Sequence, residues 1–180
     1  MSRRIALFIV CSVIFITASM NVSAEEIKLG YLDTIKILGN YKETQEAEEI
    51  YKKEVEAWKK EAEEKEAEIA QLREEIQSQS LMLSEDKLAE KRLLLEQKLG
   101  DYQQYMENTF GENGVAARRN NELLEPIMEK INNVITQIAE EDGYTIILDS
   151  AQGNIIWAKK SIDVTEKVME RLNQQLQSLE

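Results

Sequence analysis

Residues 41–78 run for 38 positions without a Gly or a Pro, and the apolar residues within them return every seventh position. Val55, Ala62, Ile69 and Ile76 form one row; Trp58 and Leu72 lie on a companion row that Lys65 interrupts. The stretch is rich in Glu, Lys, Ala and Gln, which are good to fair helix formers. A seven-residue repeat keeps one seam on the same side of a slightly underwound helix, so such a helix needs a partner helix. The following segment repeats the signal, with Leu81, Leu88, Leu95 and Tyr102 seven apart and Leu99 and Met106 on a neighbouring row. Serines flank Leu81, Met82 and Leu83, and Ser84 reads as a helix start, so a tight turn near residues 79–84 is expected. The result is an antiparallel hairpin over residues 41–114. Pairing about that turn sets Trp58 opposite Tyr105, Ile69 near Leu94 and Leu95, and Ile76 near Leu88. Val55, Ile69, Leu72, Ile76, Leu88, Leu95, Tyr102 and Tyr105 are the expected seam. The outgoing arm of about 38 residues predicts a length of about 57 Å at 1.5 Å per residue.

Gly111 and Gly114 interrupt the return arm. Two glycines cost about 2 kcal/mol in a helix interior relative to Ala, so a kink or break is expected there. The pair is a candidate hinge that lets the arm spread. A new helix is expected over residues 116–141, within a segment, 115–142, that joins the arm to a base. Pro126 lies about ten residues inside it, and either bends the helix or marks its true first turn. Ile127, Ile131, Val134, Ile135 and Ile138 form a broad apolar face suited to covering a small sheet. Gly143 reads as the residue that ends the helix.

The two ends of the chain read as β, which makes the whole α+β and mostly α, a long helical hairpin on a small sheet. Ile27, Leu29 and Tyr31 alternate with polar or small residues in an opening strand. Residues 144–148 are β-branched and apolar, and residues 154–158 come after a short polar loop containing Gly153, so the two predict a β-hairpin. Asp163 and Glu166 have the spacing of a capping box. Val164, Val168, Leu172 and Leu176 then follow at helical spacing. The base, residues 25–40 with 143–180, offers a meagre core for the length of the chain. Association through it is therefore expected, with Ile27, Leu29, Tyr31, Ile146, Leu148, Ile155 and Trp157 as the shared apolar residues and Trp157 packed in the base.

The first residues have a different character. A basic start at Arg3 and Arg4 precedes an apolar run from Ile5 to Ala18, and small residues follow at Val22, Ser23 and Ala24. That is the pattern of a secretory signal peptide over residues 1–24, with cleavage after Ala24. A membrane span needs roughly 20 apolar residues, more than this run supplies. The apolar run continues past Cys11, which argues against a lipid-modified start. From Glu25 onward there is no Cys and no His, and the net charge moves from −12 to −14. The excess is concentrated in the middle: −6 over residues 41–80 and −6 over 81–142, against −1 at either end. A balance this acidic argues against nucleic acid and against anionic lipid surfaces.

Catalytic chemistry finds little to use. From Glu25 onward, without His or Cys, there is no imidazole base, no thiol nucleophile and no soft metal ligand. Glu48 and Glu49, Glu63 and Glu64, and Glu74 and Glu75 read as solvated helix faces. Asp149 near Gly153 lacks the dense carboxylate spacing of a calcium loop and reads as a turn. No cofactor is expected, and the chain does not read as an enzyme. The tip is the sharper feature, because exposed apolar residues at the end of a hairpin call for a binder. Leu81 belongs to the seven-residue row and is expected in the seam. Met82 and Leu83 are candidate contact residues, with Met supplying adaptability. Trp58 either packs in the seam against Tyr105 or faces a bound partner.

The ordered set of segments resembles the Skp/OmpH family of periplasmic chaperones. The resemblance is carried by Ile27-Lys28-Leu29-Gly30-Tyr31-Leu32-Asp33, by Arg118-Arg119-Asn120-Asn121-Glu122 with the apolar helix after it, by Tyr144-Thr145-Ile146-Ile147-Leu148-Asp149, and by Ile155-Ile156-Trp157 running into Ile162-Asp163-Val164-Thr165. It implies a periplasmic homotrimer that holds unfolded outer-membrane β-barrel proteins between helical arms, without ATP. The best-studied type is basic and this chain is acidic, so no lipid or lipopolysaccharide site is carried over. The rival reading is a coiled-coil envelope adaptor that binds one folded partner through the hairpin tip.

Overall fold

A computed structural model describes residues 27–178; the expected signal segment lies outside the described residues. Strand β1 (Leu29–Leu32) leads into a short helix α1 (Thr34–Asn40) and then the long α2 (Lys42–Gln79). Helix α3 (Glu85–Phe110) returns antiparallel to α2, α4 (Val115–Asp142) continues to the base, and β2 (Ile146–Asp149) comes next. A 3₁₀ turn (Lys160–Ile162) and helix α5 (Thr165–Gln177) close the described chain.

The arm forms because each helix has one apolar stripe and start signals at the right places. Ser84 caps α3, its hydroxyl accepting from the Lys87 amide at 3.4 Å. Ala62 and Ile69 are buried in the seam, with Trp58, Leu72, Ile76, Leu88, Leu95 and Tyr102 half-buried around them. The Tyr105 hydroxyl donates to the Trp58 carbonyl at 3.1 Å, so these two residues do meet. Lys65, the polar interruption of the companion row, lays its ammonium 5.1 Å from the Tyr105 ring centroid and 3.3 Å from Glu61. Its aliphatic stem covers the seam while its charge stays near solvent and a carboxylate. Ion pairs flank the arm at Glu75–Lys91, 2.7 Å, and Glu68–Lys98, 2.6 Å.

The core sits at the root and base. Ile127, Ile131, Val134 and Ile138 of α4 are buried in one cluster with Ile37, Tyr41 and Ala47, with Val164, and with Val168 and Leu172 of α5. Helix α4 runs unbroken through Pro126, so the proline does not mark a helix start. Pro126 lies on the exposed side of α4, where a carbonyl left without its helical donor is least costly. Gly143, at φ 69°, ends α4 in the left-handed region that glycine adopts without strain. The α4–α5 pairing is trimmed by Arg171, whose guanidinium donates to both Glu141 oxygens at 2.7 and 3.1 Å.

The base differs from the expected hairpin. Strands β1 and β2 pair in parallel, Leu29 opposite Ile146 and Leu32 opposite Asp149, and the whole helical arm is their crossover connection. Residues 154–158 form no strand. The reason lies further along the chain. Asp163 bridges the far edge of β1 at Tyr31, and the Val164 amide donates to the Tyr31 carbonyl at 2.8 Å. The chain must therefore cross from β2 over the sheet to that far edge, and cannot return alongside β2. A turn from Ser150 to Gly153 starts this crossing.

The capping box also forms differently. Asp163 accepts from the amide and the hydroxyl of Thr165, two residues on, and Glu166 pairs with Lys36 of α1 and does not reach back. Asp149 accepts from the Thr34 amide and hydroxyl, 3.2 and 2.6 Å, and from the Ala151 amide, 3.0 Å. It ties β2 to the start of α1 and shapes its own turn.

Candidate binding surfaces

Among the described residues, three surfaces group exposed apolar side chains in the single chain. The first is the tip. Helix α2 stops at Gln79, so Leu81 and Met82 stand in the turn, 98% and 86% exposed, while Leu83 is half-buried. Leu81 is thus not in the seam. Counting back seven from Leu88 reaches it in sequence, but α3 begins only at Glu85. No charged residue lies between Glu75 and Glu85, so an uncharged cap ends an otherwise acidic arm.

The second surface lies along α3. Leu93, Leu94 and Leu95 are consecutive, and only Leu95 turns toward α2; Leu93 is 68% exposed and Leu94 is also exposed. Leu94, expected near Ile69 together with Leu95, is exposed where Leu95 is half-buried, because neighbours on a helix point about 100° apart. Leu93 was missed as a contact candidate. The run of three leucines was its signal, since one helix seam cannot hold all three. Trp58 is half-buried in the arm, neither sealed in the seam nor freely presented.

The third surface is the outer face of the sheet. Gly30, Leu32 and Ile147 face or pack on the core, which turns Leu29, Tyr31, Ile146 and Leu148 outward. Residues 150–162 cross this face and leave a groove of about 330 Å³ lined by Leu29, Tyr31, Leu148, Ile155, Trp157 and Ile162. Trp157 is 77% exposed and Ile156 99% exposed, so Trp157 does not pack into the base of the single chain. Ile27 lies outside β1 and is exposed as well. The alternation in the opening strand reads correctly as period two, but it marks the outward face.

Charge on these surfaces follows the ion pairs. Hydrogen bonds from Lys91 and from Lys98 hold the Glu75 and Glu68 carboxyls below their ordinary value, and a hydrogen bond from Arg119 does the same for Glu54. At the root, Arg119 donates to both Glu54 oxygens at 2.8 and 3.1 Å, and Lys130 to both Glu43 oxygens at 2.7 Å. Between arm and root, Gly111 and Gly114 stand where little else fits. A Cβ on Gly111 would lie 2.4 Å from the Glu107 carbonyl oxygen, and one on Gly114 would lie 2.6 Å from that of Thr109. Among the described residues, no group of three or more acidic side chains is placed to hold a metal ion, and no helix is long and apolar enough to cross a membrane.

Known proteins resemble this arrangement. The profile of a family described as Outer membrane protein (OmpH-like) matches residues 28–172. A crystal structure from Caulobacter crescentus, described as a putative OmpH-like outer membrane chaperone, has a similar fold, with a TM-score of 0.71. The two sequences are 13% identical over 83% of this chain and 85% of that one. No curated protein matches the sequence.

Proposed function

The chain belongs to the OmpH-like family of outer membrane proteins, and from that premise we propose that it is a holding chaperone for unfolded outer-membrane β-barrel proteins. One observation carries the reading: the hairpin of α2 and α3, acidic along its length, leaves Leu93 exposed on its side and Leu81 and Met82 exposed at its uncharged tip. Scattered apolar contacts hold an unfolded chain weakly at many points. Like charge on the arms resists coalescence of loaded complexes. Holding of this kind needs neither ATP nor a catalytic group, so the protein acts as a binder and not as an enzyme.

The reading includes self-association. The outward face of the sheet, with Ile156 and Trp157, is an apolar patch of the kind that marks an interface. Three copies joined there place three arms around one cavity, in the periplasm where clients emerge unfolded. The uncharged tip favours one alternative, an adaptor that docks a single folded partner through Leu81 and Met82. Diluting an unfolded β-barrel outer-membrane protein from urea, with and without this protein and without ATP, separates the two. Suppressed light scattering supports holding. Unchanged scattering from a well-folded oligomer moves the assignment to the adaptor.

A further inference from the structure

Contacts between the two sides of the arm fall into two registers. Glu75 meets Lys91 at 2.7 Å, Glu68 meets Lys98 at 2.6 Å, and Glu61 meets Tyr105 at 3.2 Å. Each step of seven back along α2 moves the partner seven forward. The next step breaks the rule. From Glu61 to Glu54 is again seven residues, but the partner moves fourteen, from Tyr105 to Arg119, 2.8 Å from Glu54. The Glu43–Lys130 pair, 2.7 Å, keeps the new register down the root. Seven residues of the return chain, one heptad, are therefore surplus at the break.

The surplus is folded away as an overlap. Thr109 at the end of α3, Gly114 and Ala116 at the start of α4 are all buried, and Gly114 touches the Thr109 backbone too closely for any Cβ. Yet the seven-residue row continues through the break: Leu88, Leu95, Tyr102, Thr109, Ala116, Leu123. At the tip, α2 stops at Gln79, although the next member of its row Val55, Ala62, Ile69, Ile76 is Leu83. A shift of α3 by one heptad against α2 thus returns row onto row.

We infer that the arm has a second register, seven residues from the first, reached by drawing residues 111–114 into a continuous return helix while α2 lengthens to Leu83. In it Glu75 meets Lys98 in place of Lys91, and Leu83 joins the seam. Glu61 then faces Glu112, and this like-charge pair opposes the shift. The tip advances by about 5 Å, half the length of a heptad, since the turn shares the displacement between both helices. The device alters arm length and tip composition together, and it stands independently of the holding function.

Spin-label distances test it. Cys11 is replaced by Ser, labels are placed on Glu64→Cys and Asp101→Cys, and labelled chain is diluted with unlabelled chain so that only distances within one chain are read. Both sites are exposed and lie at the same level in the first register. In the second they are displaced along the arm by about 10 Å, which adds a longer distance. A control pair, Glu48→Cys with Glu125→Cys, sits in the root and keeps one distance in both. Gly111→Ala with Gly114→Ala crowds the break and favours a continuous helix, so the longer component should grow by roughly tenfold or more. Glu112→Lys, at an exposed site within the break, removes the opposing pair while keeping both glycines and should also raise it. Growth of the longer component in either folded variant, with the control pair unmoved, supports the second register. A single short distance in the parent and in every folded variant overturns it, as does a change at the control pair.

Discussion

The proposed association through the sheet predicts that replacing Trp157 with Ser breaks the oligomer while leaving the single chain folded. Trp157 is 77% exposed in the single chain and touches the groove on the sheet rather than the buried core. An aromatic side chain offers about 150–250 Å² for burial, so a Trp this exposed leaves about 190 Å² to be covered by a neighbouring copy. At about 25 cal/mol per Å² that area is worth at most about 5 kcal/mol. Ordering of the loop and imperfect packing reduce it to the range of an interface hot spot, about 2–4 kcal/mol. Each contact should therefore weaken by roughly 30- to 1,000-fold. Light scattering of a dilution series reads the mass: the parent stays oligomeric at concentrations where Trp157→Ser falls to single chains. Far-ultraviolet ellipticity should stay unchanged, because the helices do not depend on Trp157. An unchanged mass across the whole series would refute the reasoning and place any interface elsewhere, with the arms the next candidate.

Ile138→Ala removes a fully buried side chain between α4 and the base and should cost about 2–5 kcal/mol, read by urea or thermal unfolding; a loss below about 1 kcal/mol would mean that this core does not carry the fold. Burial acts to raise the Asp163 carboxyl, but hydrogen bonds from the Thr165 side chain and backbone and from Tyr31 outweigh it and hold the group below its ordinary value. A depressed carboxyl stabilises the fold fully above its unfolded value, about 3.9, and loses that contribution as pH falls through the folded value. The melting temperature of the parent should therefore fall more steeply below about pH 4 than that of Asp163→Asn; equal slopes would show that Asp163 does not carry the acid response. Residues 41–142, the hairpin with its root helix, carry a net −12 in each chain, so raising salt from about 0.02 to 0.5 M should screen the arms and shrink the radius of gyration in small-angle scattering, and an unchanged radius would mean that contacts rather than charge set their spacing.

Periodicity made the arm legible. Rows seven apart fix which faces meet, and the meeting of Trp58 with Tyr105 follows from them once the turn is placed. The same logic failed at Leu81, because a repeat says nothing about where a helix stops. It did not separate the exposed Leu93 and Leu94 from Leu95, because a row three or four residues wide admits two readings of a Leu-Leu-Leu run. The base was harder to read. Alternation in residues 27–31 reveals a strand but not which face is buried, and short apolar runs at 144–148 and 154–158 suit a hairpin or a crossover equally. What decides is a non-local partner: Asp163 at the far edge of β1, 132 residues after Tyr31, pulls the chain across the sheet. Gly111 and Gly114 marked a break by their helix cost. Their tight approach to the Glu107 and Thr109 backbones, and the surplus heptad they close, depend on pairings that only the packed arm sets. The candidate surfaces were therefore legible as apolar residues in a charged chain, whereas their exposure was not.

The mass of a loaded complex bears on the holding mechanism itself. An unfolded β-barrel outer-membrane protein is diluted from urea into an excess of this protein without ATP, and the mixture is passed through size exclusion with in-line light scattering. A single soluble species with the mass of one oligomer plus one unfolded client, lost in a Leu81→Ser, Met82→Ser, Leu93→Ser variant that keeps its own oligomer mass, is the predicted result. A client that aggregates while the protein elutes alone at its oligomer mass would contradict the account.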